Sequence, residues 1–314
     1  MIDFRYHLVS IVAIFLALAT GIALGAGPLQ DPLSAGLADR AEQDRQDVEQ
    51  LRSELSRAQD LISFGDAYAA ETAGVVVGSA LAGRTVGIVS LPGADPGDIR
   101  GLRGQVEAGG GEVVSTVRVT DTLLDPANRQ LAEGLARQVL DGVKDVTEPA
   151  GATSYELVGA AVARAFLTRD DQQVDNDAGS IAAALAQAQF VSVDGSVDRR
   201  AQLALVVSGD PAADAPAGQA EVAAEVVSGL DTGSAGAVVA GTAASASGGI
   251  VQAVRESEAG DDVSSVDVVD LAAGRVVTVL AMAEQLSGGV GHYGQVDAED
   301  GAVPEPAPPP SDGQ

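Results

Sequence analysis

The chain has 314 residues, no cysteine, and a formal net charge of −27 that results from 45 acidic and 18 basic residues. The lack of cysteine excludes disulfide bonds, thiolate catalysis and thiolate metal sites. Because nucleic acids and anionic lipids attract basic surfaces, the charge argues against nucleic-acid binding and against a domain lying on anionic lipid. The length allows one sizeable folded domain beside smaller segments.

The N-terminus is predicted to be a membrane anchor, which we assign to residues 1–30. An uncharged, mostly apolar run extends from Leu8 to Gln30. Its first nineteen residues would span roughly 28 Å as a helix, which matches the hydrocarbon core of a bilayer. Arg5 precedes the run and Asp31 follows it, so the positive-inside rule predicts a cytoplasmic N-terminus and an extracytoplasmic remainder. A cleaved secretory signal is the alternative, because small residues end the run.

Particular residues of this anchor are expected to face lipid or a second helix. Leu8, Phe15 and Leu16 supply bulky apolar surface for contact with membrane lipid. Gly21 and Gly25 form a GxxxG pair, which can let two membrane helices approach closely. The simpler interpretation is that glycine is common in membrane helices.

Residues 31–66 are predicted to form a coiled-coil stalk. Apolar and small residues alternate at spacings of four and three, which defines the a and d positions of a heptad: Leu37, Ala41, Val48, Leu51, Leu55, Ala58 and Ile62. Asp44 is the one clear defect, at a d position. The pattern indicates a homo-oligomer formed through this helix. The alternative is an amphipathic helix that folds back on its own domain.

Residues 67–295 are predicted to form an extracytoplasmic α/β domain with a mainly parallel sheet, because short apolar strands alternate with helices. The predicted strands are Thr85–Ser90, Glu112–Val119, Phe190–Val193, Leu203–Val207, Ala237–Ala240 and Val263–Val269. The predicted helices include one ending near Gly109, one between Pro126 and Leu140, and Tyr155–Leu167, Ile181–Ala188, Gln219–Leu230 and Ile250–Glu256. Arg275–Leu286 is predicted to be a buried helix or a strand that passes into one. Residues 296–314 are acidic and rich in proline, which predicts a disordered tail.

Few features of the sequence indicate a catalytic, ligand-binding or metal-binding site. The loops 91–98 and 208–210 follow strands at the edge where open α/β sheets bind ligands, but neither carries a phosphate-binding motif. The two histidines are His7 and His292, and no serine lies in a GxSxG elbow. The sequence therefore predicts no enzyme and no cofactor. His292 is a weak metal-ligand candidate, and a packing or hydrogen-bonding role is the simpler interpretation.

Two blocks resemble the MctB-like family of mycobacterial copper-transport proteins from actinobacteria. They are residues 2–29 and the glycine-rich segment Gly288–Gly294, and the intervening segments Gly83–Val89 and Ala273–Leu280 agree in order. The likeness covers almost the whole chain up to the tail. It implies a channel protein of the outer membrane that lowers intracellular copper, with a copper ion as the transported species. It supplies no metal-ligand positions.

Three functions are therefore compared. The first is a membrane-anchored, pore-associated copper transporter that acts in copper efflux or homeostasis. The second is a non-transporting envelope scaffold or interaction protein that oligomerises through the coiled coil. The third is a hydrolase of envelope components, for which His292 would be the residue to test.

Overall fold

The structure, a computed structural model, describes residues 4–25, 30–146, 151–170 and 172–305. The chain divides into two compact units, residues 1–64 and 65–314. The first unit contains helix α1, Phe4–Gly25, and most of helix α2, Gln30–Val77, whose last turns belong to the second unit. Part of the predicted disordered tail, residues 306–314, lies outside the described residues.

Helix α2 is uninterrupted over 48 residues, which corresponds to about 72 Å at the rise of an α-helix. A helix is therefore present where the stalk was predicted, and it continues beyond residue 66, the predicted end of the stalk, to Val77. Its last turns are helical because Ala73 and Val77 are buried in the core of the second unit, where Leu81 also lies. This burial stabilises a stretch whose own periodicity is weak.

The second unit is built on strands that the structure places at Thr85–Ser90 (β1), Glu112–Val119 (β2), Gln172–Gln173 (β3), Val191–Val193 (β4), Arg199–Arg200 (β5), Leu203–Val207 (β6), Ala237–Ala240 (β7), Ser264–Val266 (β8) and His292–Tyr293 (β9). Seven of these form one sheet in the order β4-β2-β1-β6-β7-β8-β9, and β3 pairs with β5 separately. In the large sheet, β4 is antiparallel to β2 and the other neighbours are parallel. The predicted mainly parallel α/β fold is confirmed.

Helices cover both faces of the large sheet. They are Pro96–Ala108 (α3), Asp121–Leu124 (α4), Arg129–Leu140 (α5), Ser154–Phe166 (α6), Asn176–Gln187 (α7), Gln219–Thr232 (α8), Ile250–Arg255 (α9) and Ala272–Gln285 (α10), with short 3₁₀ turns at Pro126–Asn128 and Glu258–Asp261. One face packs against α5 to α9, and the other packs against α3, α10 and the end of α2. Because the central strands are covered on both sides, all residues of β1, β6 and β7 are buried.

The predicted longer strands and helices are present, with boundaries that differ by a few residues. Helix α3 begins after Asp95, whose carboxylate accepts hydrogen bonds from the backbone N–H groups of Gly97 and Asp98. Asp95 is thus the N-terminal cap of this helix. Residues 296–305 follow β9, and the Asp300 backbone N–H donates to the His292 carbonyl at 3.2 Å.

Candidate functional site

Helix α1 has the length and composition to cross a membrane. Within its 22 residues, an 18-residue window has a mean hydropathy of 2.5 and none of it is buried. Leu8, Phe15 and Leu16 are 55%, 68% and 67% exposed, and a β-carbon at Gly21 or Gly25 would meet no atom within 4 Å. Such a surface needs a bilayer or another apolar helix as its partner. A secretory signal has the same properties, so the anchor stays a prediction.

A row of apolar side chains along α2 is also uncovered, and we call it the α2 seam. Four heptad positions, Val48, Leu51, Leu55 and Ile62, are 45%, 63%, 58% and 58% exposed. Acidic, basic and amide side chains fill most of the positions between them. The seam has the spacing that coiled-coil pairing requires, and the pairing itself stays a prediction.

The two loops predicted at the ligand-binding edge of the sheet contact each other. They follow β1 and β6, which are parallel neighbours at the point where the strand order reverses. Gly93 adopts a φ of +80°, and a β-carbon on Gly209 would overlap the Gly93 carbonyl group. Glycine at these two positions therefore allows the loops to pack backbone against backbone.

An acidic cleft of about 600 Å³ lies beside these loops. Its charged side chains are Asp121, Asp210, Asp214 and Glu221, and Asp210 accepts a hydrogen bond from the Thr242 hydroxyl. Carboxylates repel phosphate groups, so the cleft is poorly suited to a nucleotide. Within the residues that the structure describes, no three His, Cys, Asp or Glu side chains are grouped so that they could hold a metal ion.

His292, the weak metal-ligand candidate, lies on β9 within a hydrogen-bond network. Its Nδ1 is 3.0 Å from the Ser265 hydroxyl oxygen, and its backbone N–H donates to the Asp300 carboxylate at 2.8 Å. Burial, and then the charge of Arg255, lower the pKa of the imidazole below its usual value. The neutral form of the ring is therefore favoured, and its Nδ1 is already engaged with Ser265. This geometry favours the packing and hydrogen-bonding interpretation.

A buried ion pair fixes the backbone next to His292. Asp267 is fully buried, and one of its carboxylate oxygens lies 3.0 Å from Nη1 of Arg255, itself 8% exposed. The same carboxylate accepts hydrogen bonds from the backbone N–H groups of Gln295 at 2.7 Å and Val296 at 3.0 Å. A β-carbon on Gly294, whose φ is +139°, would overlap this carboxylate. Glycine is therefore required here.

Arg255 and Tyr293 extend this network to four elements. Its Nε donates to the Ser265 hydroxyl at 2.7 Å, and its Nη2 donates to the Tyr293 carbonyl at 3.1 Å. The Tyr293 hydroxyl donates to Glu284 at 2.6 Å, and burial together with that carboxylate raises the pKa of the tyrosine. Helix α9, strands β8 and β9 and helix α10 are thus connected through polar side chains that are mostly buried.

Of this network, His292 was predicted from the sequence as a candidate, whereas Arg255 and Asp267, which hold the loop in place, were not. An available signal was the position of Asp267 within an apolar segment predicted to be a strand, since a buried carboxylate needs a partner. The identity of that partner depends on the tertiary fold and has no signature in the sequence.

The comparisons with known proteins agree with the resemblance noted in the sequence. The chain matches the family model described as "Copper transport outer membrane protein, MctB" over residues 1–304. A protein named copper transporter MctB from Mycobacterium tuberculosis (strain H37Rv) is 29% identical over 312 residues, which cover 94% of this chain and 96% of the relative. The protein of the same name from Mycobacterium leprae is 28% identical over 321 residues, with coverages of 96% and 98%. This chain therefore belongs to the MctB family of copper transport outer membrane proteins.

Proposed function

We propose that this protein is membrane-anchored and takes part in copper transport, lowering the copper content of the cell. The observation that carries the proposal is the family match, which runs from the apolar helix α1 to the residues after β9. The full-length similarity to relatives named copper transporter supports a transport role rather than an enzymatic one.

The proposed topology has the N-terminus in the cytoplasm and the α/β unit outside it. Arg5 before the apolar helix and Asp31 after it support this orientation, because basic residues favour the cytoplasmic side. The name of the family supports the outer membrane as the location. A single helix crosses only one bilayer, so in that membrane the N-terminus would lie in the periplasm, whereas a cytoplasmic N-terminus corresponds to the inner membrane.

The proposed transport route forms between copies of the chain. A copper ion needs several ligands, and the described residues of one chain contain no suitable group of three. Association through the α2 seam would bring several α1 helices together, and Gly21 and Gly25 leave space for close approach. We therefore propose a homo-oligomer held by a coiled coil, with the pore at or near the assembled helices.

Copper accumulation in a deletion strain tests the proposal. Deleting the gene should raise the copper content of the cells and their sensitivity to copper salts, and the wild-type gene should reverse both effects. The variant L51D/L55D should fail to restore copper content, because charges in the seam prevent association. Chemical crosslinking of native membranes should show loss of the oligomer in the same variant.

A matched variant controls for added charge. Ser53 and Ser56 are exposed, and the heptad places them away from the seam. The variant S53D/S56D adds the same two charges and should restore copper tolerance fully. If L51D/L55D restores tolerance equally well, the seam has no part in transport. Unchanged copper content in the deletion strain would overturn the copper role itself.

A second candidate function is an envelope scaffold that oligomerises without moving an ion. The exposed seam and the lack of a metal-ligand group among the described residues both favour it. Planar-bilayer conductance of the purified full-length protein separates the two, because a scaffold should pass no current. Copper-dependent conductance that is lost in L51D/L55D would reject the scaffold.

A further inference from the structure

Two arginine side chains are almost fully buried near the small β3–β5 sheet. Arg164 on α6 is 5% exposed and Arg200 on β5 is 4% exposed. The backbone around Arg200 is fixed on both sides: β5 pairs with β3, and the Thr168 backbone N–H donates to the Ala201 carbonyl at 2.8 Å. The position of the Arg200 side chain is therefore set by the fold.

The carboxylate of Asp175 lies near both guanidinium groups. Arg164 donates to the two oxygens of Asp175 at 3.2 and 2.8 Å, and its Nε donates to the Lys144 carbonyl at 3.2 Å. Arg200 lies 3.8 Å from the same carboxylate. Its Nε is buried and has no hydrogen-bond partner in the part of the chain that the structure describes. Nη2 of Arg200 donates to the side-chain oxygen of Gln172. Among the described residues, the acceptors near Arg200 are thus a neutral amide and a carboxylate that already pairs with Arg164, which leaves much of its buried positive charge uncompensated.

A cavity of about 270 Å³ adjoins these groups, and we call it the arginine cavity. Besides the two buried arginines it is lined by Arg169, which is exposed and donates to the backbone carbonyl of Thr232 at 3.0 Å. Thr168, which is buried, also lines the cavity, and its hydroxyl accepts a hydrogen bond from the Asp170 backbone N–H at 3.3 Å. Three arginines from separate positions of the chain thus line one small space.

Two carboxylates, Asp145 and Asp170, also line the arginine cavity. Both residues are exposed, whereas Arg164 and Arg200 are buried. Water screens exposed charges far more strongly than buried ones, so the buried arginines dominate the field inside the cavity. Burial, and then the nearby Arg164, also lower the pKa of Arg200, an effect that a bound anion would oppose.

We propose that the arginine cavity binds a phosphate group, either free phosphate or the phosphate of a small phosphomonoester. The groups that would hold the phosphate are the exposed guanidinium of Arg169 and the buried, positively charged Arg164 and Arg200 that line the same cavity. Donors that reach one space from three residues suit a tetrahedral anion with several oxygens better than a planar carboxylate with two. This site is independent of the proposed copper transport.

Isothermal titration of the purified full-length protein in detergent tests the site, with inorganic phosphate and glycerol phosphate as probes at constant ionic strength. The wild type should bind one phosphate per chain. The variant R169Q should bind about tenfold more weakly or worse, because a charge-assisted hydrogen bond is lost. Arg169 is exposed, so this variant should keep the fold. R200K, which keeps the charge but replaces the planar guanidinium, should also bind phosphate more weakly, with folding checked by circular dichroism.

The matched control is R118Q, which removes an exposed arginine paired with Asp194 outside the cavity. It should bind phosphate like the wild type. Tighter binding of glycerol phosphate than of free phosphate would assign the site to an organic phosphate, and the reverse would assign it to the free ion. No saturable binding by the wild type, equal weakening in R118Q and R169Q, or tighter binding of acetate than of phosphate would overturn the proposal.

Discussion

Replacing Asp267 by asparagine tests whether the buried ion pair with Arg255 holds the glycine-rich loop. Asparagine keeps the shape of the side chain but removes its charge, which leaves the Arg255 guanidinium buried without a counter-ion. The two side chains are 0% and 8% exposed, so water has little access to replace the lost carboxylate. The backbone N–H groups of Gln295 and Val296 also exchange a charged acceptor for a neutral amide.

The expected loss follows from these contacts. Removing one partner of a buried ion pair costs about 3–5 kcal/mol of unfolding free energy. For a folded unit of this size, 1 kcal/mol corresponds to a fall of roughly 2–4 °C in the unfolding temperature. D267N should therefore lower that temperature by about 6–20 °C.

Thermal unfolding of the full-length protein in detergent, followed by far-ultraviolet circular dichroism, measures this shift. D194N is the control, because Asp194 pairs with Arg118 at 3.4 Å while both side chains are more than half exposed. Exposed pairs contribute little, so the control should stay close to the wild type. A shift in D267N no larger than that in D194N would refute the reasoning about the buried pair.

Other substitutions test separate parts of the α/β unit. Burial, and then the charge of Asp262, raise the pKa of Asp231 to about 6 from its ordinary 3.8. The folded state therefore loses stability as the pH rises from 3.8 to about 6. D231N should then raise the unfolding free energy at pH 7 by up to about 3 kcal/mol and flatten its pH dependence in urea titrations; an unchanged slope would contradict this. Y293F removes the donor to Glu284, and leaving that acceptor unpaired should cost about 1–3 kcal/mol in the same titration. D95A removes the α3 cap and should lower the unfolding free energy by about 0.5–2 kcal/mol. An unchanged unfolding free energy would show that the cap does not stabilise the protein.

The parallel core of the fold was predictable because its strands carry their own signal. Leu203–Val207 and Ala237–Ala240 are uniformly apolar, as strands covered on both faces must be. Strands β3, β5 and β9 each contain two residues, too few for any periodicity, and form because the flanking chain is already in place. The sequence therefore predicted the longer strands of the central sheet but not these two-residue strands.

The side-chain clusters were less predictable, for a related reason. Arg255 and Asp267 lie 12 residues apart on different elements, and only the packing of α9 against β8 brings them into contact. Similarly, Arg164 and Arg200 are distant in sequence and meet because β5 pairs beside the end of α6. An arginine in an apolar segment indicates that it needs an acceptor, but the fold decides which one.

His292 in the glycine-rich loop has two possible roles, which are to bind copper or to support the fold. To ligate a metal through Nδ1, the ring would have to give up Ser265, which is 3.0 Å away and also accepts from Arg255. We therefore expect H292Q to restore copper tolerance in a deletion strain. Its stability should also change less with pH, because the lowered pKa of His292 makes the wild type lose stability as the pH falls below about 6.5. Loss of copper tolerance in H292Q at an unchanged unfolding temperature would instead assign His292 a direct role in transport.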